Sequence, residues 1–195
     1  MTQEYVRVKI CGVTRPEDAR AAEAAGADAV GVVMYSDSPR SVSPDKASAI
    51  FSALGPFMAR VVVTHTPSPE DLAEVLALGP TAVQISYPHD VPETCGTAVI
   101  RVVGRDRPVP PLHADAYIVD ESMGRGRLFD PVSARRIIEK SGVPVVLAGG
   151  LTPENVRAAV RAVGPYAVDV CSGVETRPGV KDPALVRGFV AAVKG

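Results

Sequence analysis

The first apolar segment of the chain carries a thiol and two cations on one side. Arg7, Lys9 and Cys11 alternate with aliphatic residues, and a period of two places all three on one face of a β-strand. A thiol near the Lys9 ammonium group can ionise near neutral pH and serve as a general base. We therefore interpret Cys11 as a candidate catalytic base; the alternative is a small buried hydrophobic residue.

Two carboxylates lie in or directly after later apolar segments. Asp120 follows residues 116–119, where it can act as an acid or cap the next turn. Asp169 alternates with valines and shares its strand face with Cys171. Asp120 is thus a candidate for catalysis, and Asp169 is a candidate partner for a cation on a neighbouring strand.

Glycine clusters follow the last two apolar segments. One contains Gly149 and Gly150, and the other contains Ser172 and Gly173. Glycine lets backbone N–H groups approach a phosphate closely, although it is also common in ordinary turns. The presence of both clusters favours a phosphate site.

The remaining polar candidates are less specific. Arg40 ends a loop after the second apolar segment, where a cation can bind a carboxylate. His65, His89 and His113 lack metal-ligand spacing, so we expect each on the surface or in a loop. Residues 124–127 read GRGR, which is not a nucleotide-binding motif, so we predict a mobile loop and no nucleotide cofactor.

Eight short, valine-rich segments are bounded by Gly, Pro or Asp, a pattern typical of parallel strands covered on both faces. They are residues 6–10, 29–34, 59–63, 82–85, 98–103, 116–119, 143–148 and 167–170. Helical patterns separate several of them, which indicates a βα array. We predict an α/β fold, a single-domain (β/α)8 TIM barrel over residues 1–195, with an open doubly wound sheet as the alternative.

Capping residues and prolines in the sequence indicate where helices begin and where they are short. Four predicted helix starts have a capping side chain followed directly by proline, namely Ser43, Ser68, Thr152 and Asp182. Prolines crowd residues 87–97 and 104–112. We therefore predict abbreviated helices after strands four and five.

A barrel would gather the candidate residues, because the carboxyl ends of all its strands surround one rim. Closure also places the eighth strand beside the first. We hypothesise that Lys9 and Asp169 pair in the lumen, which Arg7 and Cys11 also face.

Composition excludes several classes of function. Lys and Arg total 21 against 22 Asp and Glu, and the net charge of -1 gives no attraction to nucleic acid or an anionic membrane. No apolar segment approaches the roughly 20 residues that span a bilayer. The three cysteines are far apart and encode neither a disulfide framework nor a structural zinc site. We expect a cytoplasmic protein.

Several motifs, taken in order along the chain, resemble those of the phosphoribosylanthranilate isomerase family of tryptophan biosynthesis. They are residues 9–14 (KICGVT), 26–31 (GADAVG), 38–40 (SPR), Asp120, 129–130 (FD), 148–156 (AGGLTPENV) and 168–175 (VDVCSGVE). The resemblance covers nearly the whole chain, and the family's small (β/α)8 barrel agrees with the strand pattern.

The resemblance implies an Amadori rearrangement without cofactor or metal, from N-(5-phosphoribosyl)anthranilate to 1-(2-carboxyphenylamino)-1-deoxyribulose 5-phosphate. It makes Asp120 the general acid that protonates the furanose ring oxygen. It makes Cys11 the base that removes the C2′ proton, and it makes Arg40 the contact for the anthranilate carboxylate.

The resemblance also implies which residues bind the rest of the substrate. The phosphate would bind Gly149, Gly150, Ser172 and Gly173, mostly through backbone. We add Lys9, Gln84 and Asp169 as further substrate-binding residues. The expected partner is a small phosphoribosyl molecule, with no nucleic acid or membrane, and the expected state is a monomer or homodimer.

The chain departs from the family pattern in two places. The family commonly has Gln-Leu-His-Gly after strand four, whereas residues 84–87 read QISY. Either Ser86 replaces the histidine or the site is less tightly ordered. Residues 127–130 read RLFD where the family usually has Lys-Thr-Phe-Asp, which retains the positive charge.

Two rival functions remain. One is the related isomerase of histidine biosynthesis, or a bifunctional relative, which uses an aspartate as the base on strand one. Cys11 and the short chain argue against it. The other is a non-catalytic barrel that binds a phosphorylated ligand, and the presence of both Cys11 and Asp120 argues against that.

Overall fold

Eight parallel strands follow one another around a closed barrel in chain order, and the last strand pairs with the first. The computed structural model describes residues 5–92, 95–104, 112–120 and 130–195. The barrel strands are β1 Arg7–Ile10, β2 Ala29–Met34, β3 Ala59–Thr64, β4 Ala82–Ile85, β5 Ala98–Val103, β6 Ala116–Val119, β7 Val145–Leu147 and β8 Ala167–Val170. The predicted (β/α)8 barrel is confirmed, and closure excludes the open sheet.

Six helices are seen in the described residues: α1 Pro16–Ala24, α2 Pro44–Ser52, α3 Pro69–Ala77, α4 Pro131–Lys140, α5 Val156–Val163 and α6 Pro183–Lys194. A 3-10 helix, Ser172–Val174, leads into a small hairpin of β9 Glu175–Arg177 and β10 Val180–Lys181. In the described parts of the connections from β4 to β5 and from β5 to β6 there is no α-helix. This agrees with the abbreviated helices predicted from the prolines there.

Three of the four predicted helix caps are confirmed. The Ser43 hydroxyl accepts from the Lys46 amide, the Ser68 hydroxyl accepts from the Asp71 amide, and the Asp182 carboxylate accepts from two amides of α6. Each satisfies backbone N–H groups that the first helical turn leaves without partners.

The cap predicted at Thr152 is wrong, because α5 begins four residues later at Val156. The Asn155 side chain instead accepts a hydrogen bond from the Thr152 amide at 2.8 Å and donates one to the Gly150 carbonyl at 2.9 Å. These bonds fold the segment into a turn and fix the loop that follows β7.

The barrel lumen contains both an apolar cluster and buried polar side chains. Val102, Ile118, Val146, Ala148 and Ala167 form a small buried apolar cluster. Lys9, Gln84 and Asp169 are also buried, at 5%, 5% and 8% exposure. Buried polar groups require partners, so these three side chains must be paired within the protein.

Candidate active site

An open cavity of about 790 Å³ lies at the carboxyl ends of the strands. Five of the residues predicted from sequence line it: Cys11, Arg40, Gln84, Asp120 and Asp169. These residues come from five different parts of the chain, and the barrel brings them together at one rim, as that fold does for catalytic groups in general.

The predicted lumen pair is confirmed beneath this cavity. The Lys9 Nζ atom lies 2.7 Å from Asp169 Oδ1 and donates to Gln84 Oε1 at 3.1 Å. Lys9 and Asp169 are direct neighbours in the register of β1 and β8. Burial alone would lower the pKa of Lys9, but Asp169 and Cys11 together more than offset this, so the pKa is raised.

The prediction that Arg7 faces the lumen is wrong. Arg7 is exposed at the amino-terminal end of β1, and its guanidinium carbon lies 4.4 Å from the centroid of the Tyr166 ring. This is the geometry of a cation–π contact at the surface. Arg7 therefore takes no part in the site.

Cys11 lies at the floor of the cavity with 7% exposure, packed against Val33, Val63 and Cys171. Burial raises the pKa of the Cys11 thiol, and the negative charge of Asp169 raises it further. The nearby Lys9 acts in the opposite direction without overcoming these effects. This raised pKa contradicts the expectation that the Cys11 thiol, near a cation such as Lys9, ionises near neutral pH.

Asp120 is half-buried and directly follows β6. Two strands, β7 and β8, separate it from Cys11 around the barrel. A ligand lying in the cavity could thus contact both groups from different sides. The mobile loop predicted at residues 124–127, like Phe129, lies outside the described residues.

The four predicted phosphate-binding residues are not among those that line the cavity. Gly149 and Gly150 have φ angles of +95° and +64°, conformations that favour glycine. A Cβ atom on Gly173 would lie 2.0 Å from the Leu151 carbonyl oxygen, so the loops after β7 and β8 are in direct backbone contact. Ser172 directly follows Cys171, which does line the cavity.

Arg40 is engaged by a carboxylate to which the sequence analysis assigned no role. Its Nε lies 2.9 Å from Glu175 Oε1, and its Nη2 lies 2.6 Å from Glu175 Oε2. This two-point contact raises the pKa of Arg40 and, despite burial, lowers that of Glu175. Glu175 is the last residue of the motif at residues 168–175. That motif is the sequence feature that could have identified it as a site residue.

His65 is also a site residue that was missed, since it was expected in a surface or loop position. It follows β3, lines the cavity, and its Nδ1 lies 2.7 Å from the Ser86 hydroxyl. Ser86 is the position at which the chain departs from the family's histidine. An imidazole is therefore present at this rim, but it belongs to His65 after β3, whereas the family's usual histidine follows β4. His89 and His113 lie in loops, as expected.

The described residues contain no group of three or more His, Cys, Asp or Glu side chains that could hold a metal ion. Within that same part of the chain, none of the helices has the length and apolar character needed to cross a bilayer.

Comparison with known proteins agrees with this geometry. The family described as N-(5'-phosphoribosyl)anthranilate (PRA) isomerase matches residues 8–192. The chain belongs to the PRA isomerase family. The match includes every residue discussed above as a candidate for catalysis or substrate binding.

Individual PRA isomerases match over nearly their full length. The N-(5'-phosphoribosyl)anthranilate isomerase of Methanoregula boonei is 56% identical over 190 residues, which is 97% of each chain. The crystal structure of the Thermus thermophilus enzyme has 37% identity and a TM-score of 0.84, covering 96% of this chain and 98% of that one.

A third PRA isomerase was crystallised with reduced 1-(o-carboxyphenylamino)-1-deoxyribulose 5-phosphate. It is 36% identical with a TM-score of 0.78, covering 97% of this chain and 99% of that one. That structure shows that a barrel of this family binds a carboxylated phenylamino sugar phosphate.

We predict that Gly12→Ala destabilises the protein and disturbs Arg40. Gly12 has a φ of +68°, and a Cβ atom there would lie 2.6 Å from Arg40 Cδ and 2.7 Å from Cys171 Sγ. The free energy of unfolding, measured with urea, should fall by about 1–3 kcal/mol from backbone strain, with a further loss from these contacts.

Gly79→Ala is the matched control for that experiment. Gly79 has a φ of +61° with nothing within 4 Å of the added Cβ atom, so it tests the backbone effect alone. Equal losses in the two variants would show that the contacts with Arg40 and Cys171 do not matter.

We predict that Asp169→Asn makes Cys11 ionise at lower pH. The Asp169 charge disfavours the thiolate and raises the pKa of Cys11, so removing this charge should lower that pKa. The rate of Cys11 alkylation by iodoacetamide, followed against pH by mass spectrometry, should reach its midpoint at lower pH than in the wild type.

The exposed Cys95 is an internal control, because its alkylation profile should not change. A Cys11 profile that stays in place or moves to higher pH would contradict the electrostatic effect assigned to Asp169.

Proposed function

We propose that this chain converts N-(5-phosphoribosyl)anthranilate to 1-(2-carboxyphenylamino)-1-deoxyribulose 5-phosphate by general acid–base catalysis. The observation that carries this proposal is the single cavity lined by Cys11, Asp120 and Arg40. An acid, a base and a carboxylate-binding cation are the groups that this isomerisation requires.

Asp120 is proposed as the general acid. A proton delivered to the furanose ring oxygen breaks the bond from that oxygen to C1′, and the anthranilate nitrogen then forms a protonated Schiff base with C1′. Asp120 sits at the end of a rigid strand and across the rim from Cys11, which suits a group acting on the opposite side of the sugar from the base.

Cys11 is proposed as the base that removes the proton from C2′, giving an enolamine that tautomerises to the ketone. Burial and Asp169 raise the pKa of the Cys11 thiol, which limits the thiolate fraction. The positive charge of the Schiff base would favour the thiolate in the occupied site, because an opposite charge stabilises an ionised group. It also acidifies the C2′ proton.

The two ends of the substrate are proposed to bind on different loops. Arg40 would bind the anthranilate carboxylate, and the loops containing Gly149–Gly150 and Ser172–Gly173 would bind the phosphate through backbone N–H groups. Their contact through Leu151 supports a common phosphate site. Lys9 and Asp169 would support Gln84 and the sugar from below.

Replacing either acid–base residue should lower turnover with little change in the fold. Cys11→Ser removes a group that can ionise, and Asp120→Asn removes a transferable proton. We expect kcat to fall on the order of 10²-fold or more in each, measured as loss of anthranilate fluorescence with freshly made substrate. Normal kcat in either variant would remove that residue from its proposed role.

The same assay tests the proposed pH dependence. Because the base must be deprotonated and burial raises the pKa of Cys11, kcat/KM should rise with pH on the alkaline side and fall as pH drops towards neutrality. A profile that is flat across this range would contradict Cys11 as the titrating base.

Arg40→Ala should act mainly on binding, because the lost charge interacts with a part of the substrate that does not react. We expect KM to rise clearly more than kcat falls. Arg20→Ala, at an exposed arginine of α1, is the control and should leave both constants unchanged. An unaltered KM in Arg40→Ala would rule out the carboxylate contact.

A further inference from the structure

The guanidinium group of Arg40 presents only one of its two forked faces to Glu175. That face is formed by Nε and Nη2. The other face, formed by Nη1 and Nη2, has the same fork geometry and can bind a second carboxylate. Arg40 lines the cavity, so it can hold Glu175 and a substrate carboxylate together.

Two carboxylates on one guanidinium would leave an excess negative charge in a partly buried place. Lys181 supplies the missing positive charge, since its Nζ lies 2.8 Å from Glu175 Oε1 and its side chain is fully buried. The Gly179 amide donates to the same oxygen at 3.1 Å. With a substrate carboxylate bound, the four groups would carry two positive and two negative charges.

Lys181 also reaches the segment that precedes the proposed phosphate site. Its Nζ donates to the Cys171 carbonyl oxygen at 3.1 Å, and Ser172 and Gly173 follow directly. One buried ammonium group therefore holds both the carboxylate that orients Arg40 and the backbone that leads into the phosphate loop.

We propose that Glu175, held by Lys181, is a positioning residue that fixes Arg40 relative to the phosphate loop and so makes the site selective for a substrate carrying a carboxylate. This inference rests on the proposed function. In this arrangement the β9–β10 hairpin sets the distance between the group that binds the substrate carboxylate and the loop that binds its phosphate.

The test is binding of two ligands to Glu175→Gln by calorimetry. One ligand is reduced 1-(2-carboxyphenylamino)-1-deoxyribulose 5-phosphate, and the other is the same compound without the carboxyl group. The variant should bind the carboxylated ligand about tenfold more weakly, a factor that corresponds to loss of one charge-assisted contact. Its affinity for the ligand without the carboxyl group should match that of the wild type.

Glu139→Gln is the matched control, because Glu139 pairs with Arg135 at 3.4 Å on α4 with both side chains about two-thirds exposed. It should change neither affinity. Glu175→Asp keeps the charge near Lys181 but shortens its reach towards Arg40, and it should show the same selective loss at smaller size. This second variant tests the inference if the glutamine variant does not fold.

Steady-state kinetics give a second readout. In Glu175→Gln, KM should rise about tenfold while kcat changes much less, and adding the same change to Arg40→Ala should cause no further loss of affinity for the carboxylated ligand. Coupling of this kind is expected only when one residue acts through the other.

Two results would overturn the inference. Equal weakening of both ligands would show a general structural role for Glu175, and tighter binding of the carboxylated ligand would show that Glu175 competes with substrate for Arg40. Failure of the wild type to turn over substrate or bind the carboxylated ligand would instead overturn the proposed function itself.

Discussion

The buried ion pair of Lys9 and Asp169 is the interaction on which the site depends. A charge taken out of water is stable only with a partner and further hydrogen bonds, and here the ammonium group has both Asp169 at 2.7 Å and Gln84 at 3.1 Å. The pair joins the first and last strands of the barrel directly below Cys11. The carboxylate that stabilises Lys9 also raises the pKa of the thiol, so packing of the lumen and reactivity at the rim cannot be adjusted independently.

At the rim above this pair, the residues proposed to bind a ligand and those proposed to transfer protons lie in different kinds of structure. The groups proposed to hold a ligand, Arg40 and the glycine clusters, lie on loops, where they contact neighbours such as Glu175 and Asn155. The groups proposed to transfer protons lie at strand ends, with Cys11 directly after β1 and Asp120 directly after β6. Strand ends are fixed by the barrel hydrogen bonds, which suits groups that must stay in register with reacting atoms.

The fold and the lumen pair could be predicted from sequence because both follow from regular patterns. Valine-rich segments and a period of two determine which side chains face inward, and chain order determines that β8 meets β1. Contacts between loops have no such periodicity: Arg40 and Glu175 are 135 positions apart. The Thr152 cap failed because Asn155 competes for the same turn. The expected pKa of Cys11 was wrong because it depends on burial and on the charge of Asp169. Neither effect can be read from the sequence around Cys11.

The β9–β10 hairpin has a consequence for how the protein is made. Its Gly179 carbonyl accepts from the Thr14 hydroxyl at 2.6 Å, and its Lys181 amide donates to the Asp18 carboxylate at 3.2 Å. Chains are synthesised from the amino terminus, so Thr14, Asp18 and Arg40 leave the ribosome long before their partners in this hairpin. A nascent chain therefore contains Arg40 before it contains Glu175, and the contact between these two side chains forms only after the hairpin has been synthesised and docked.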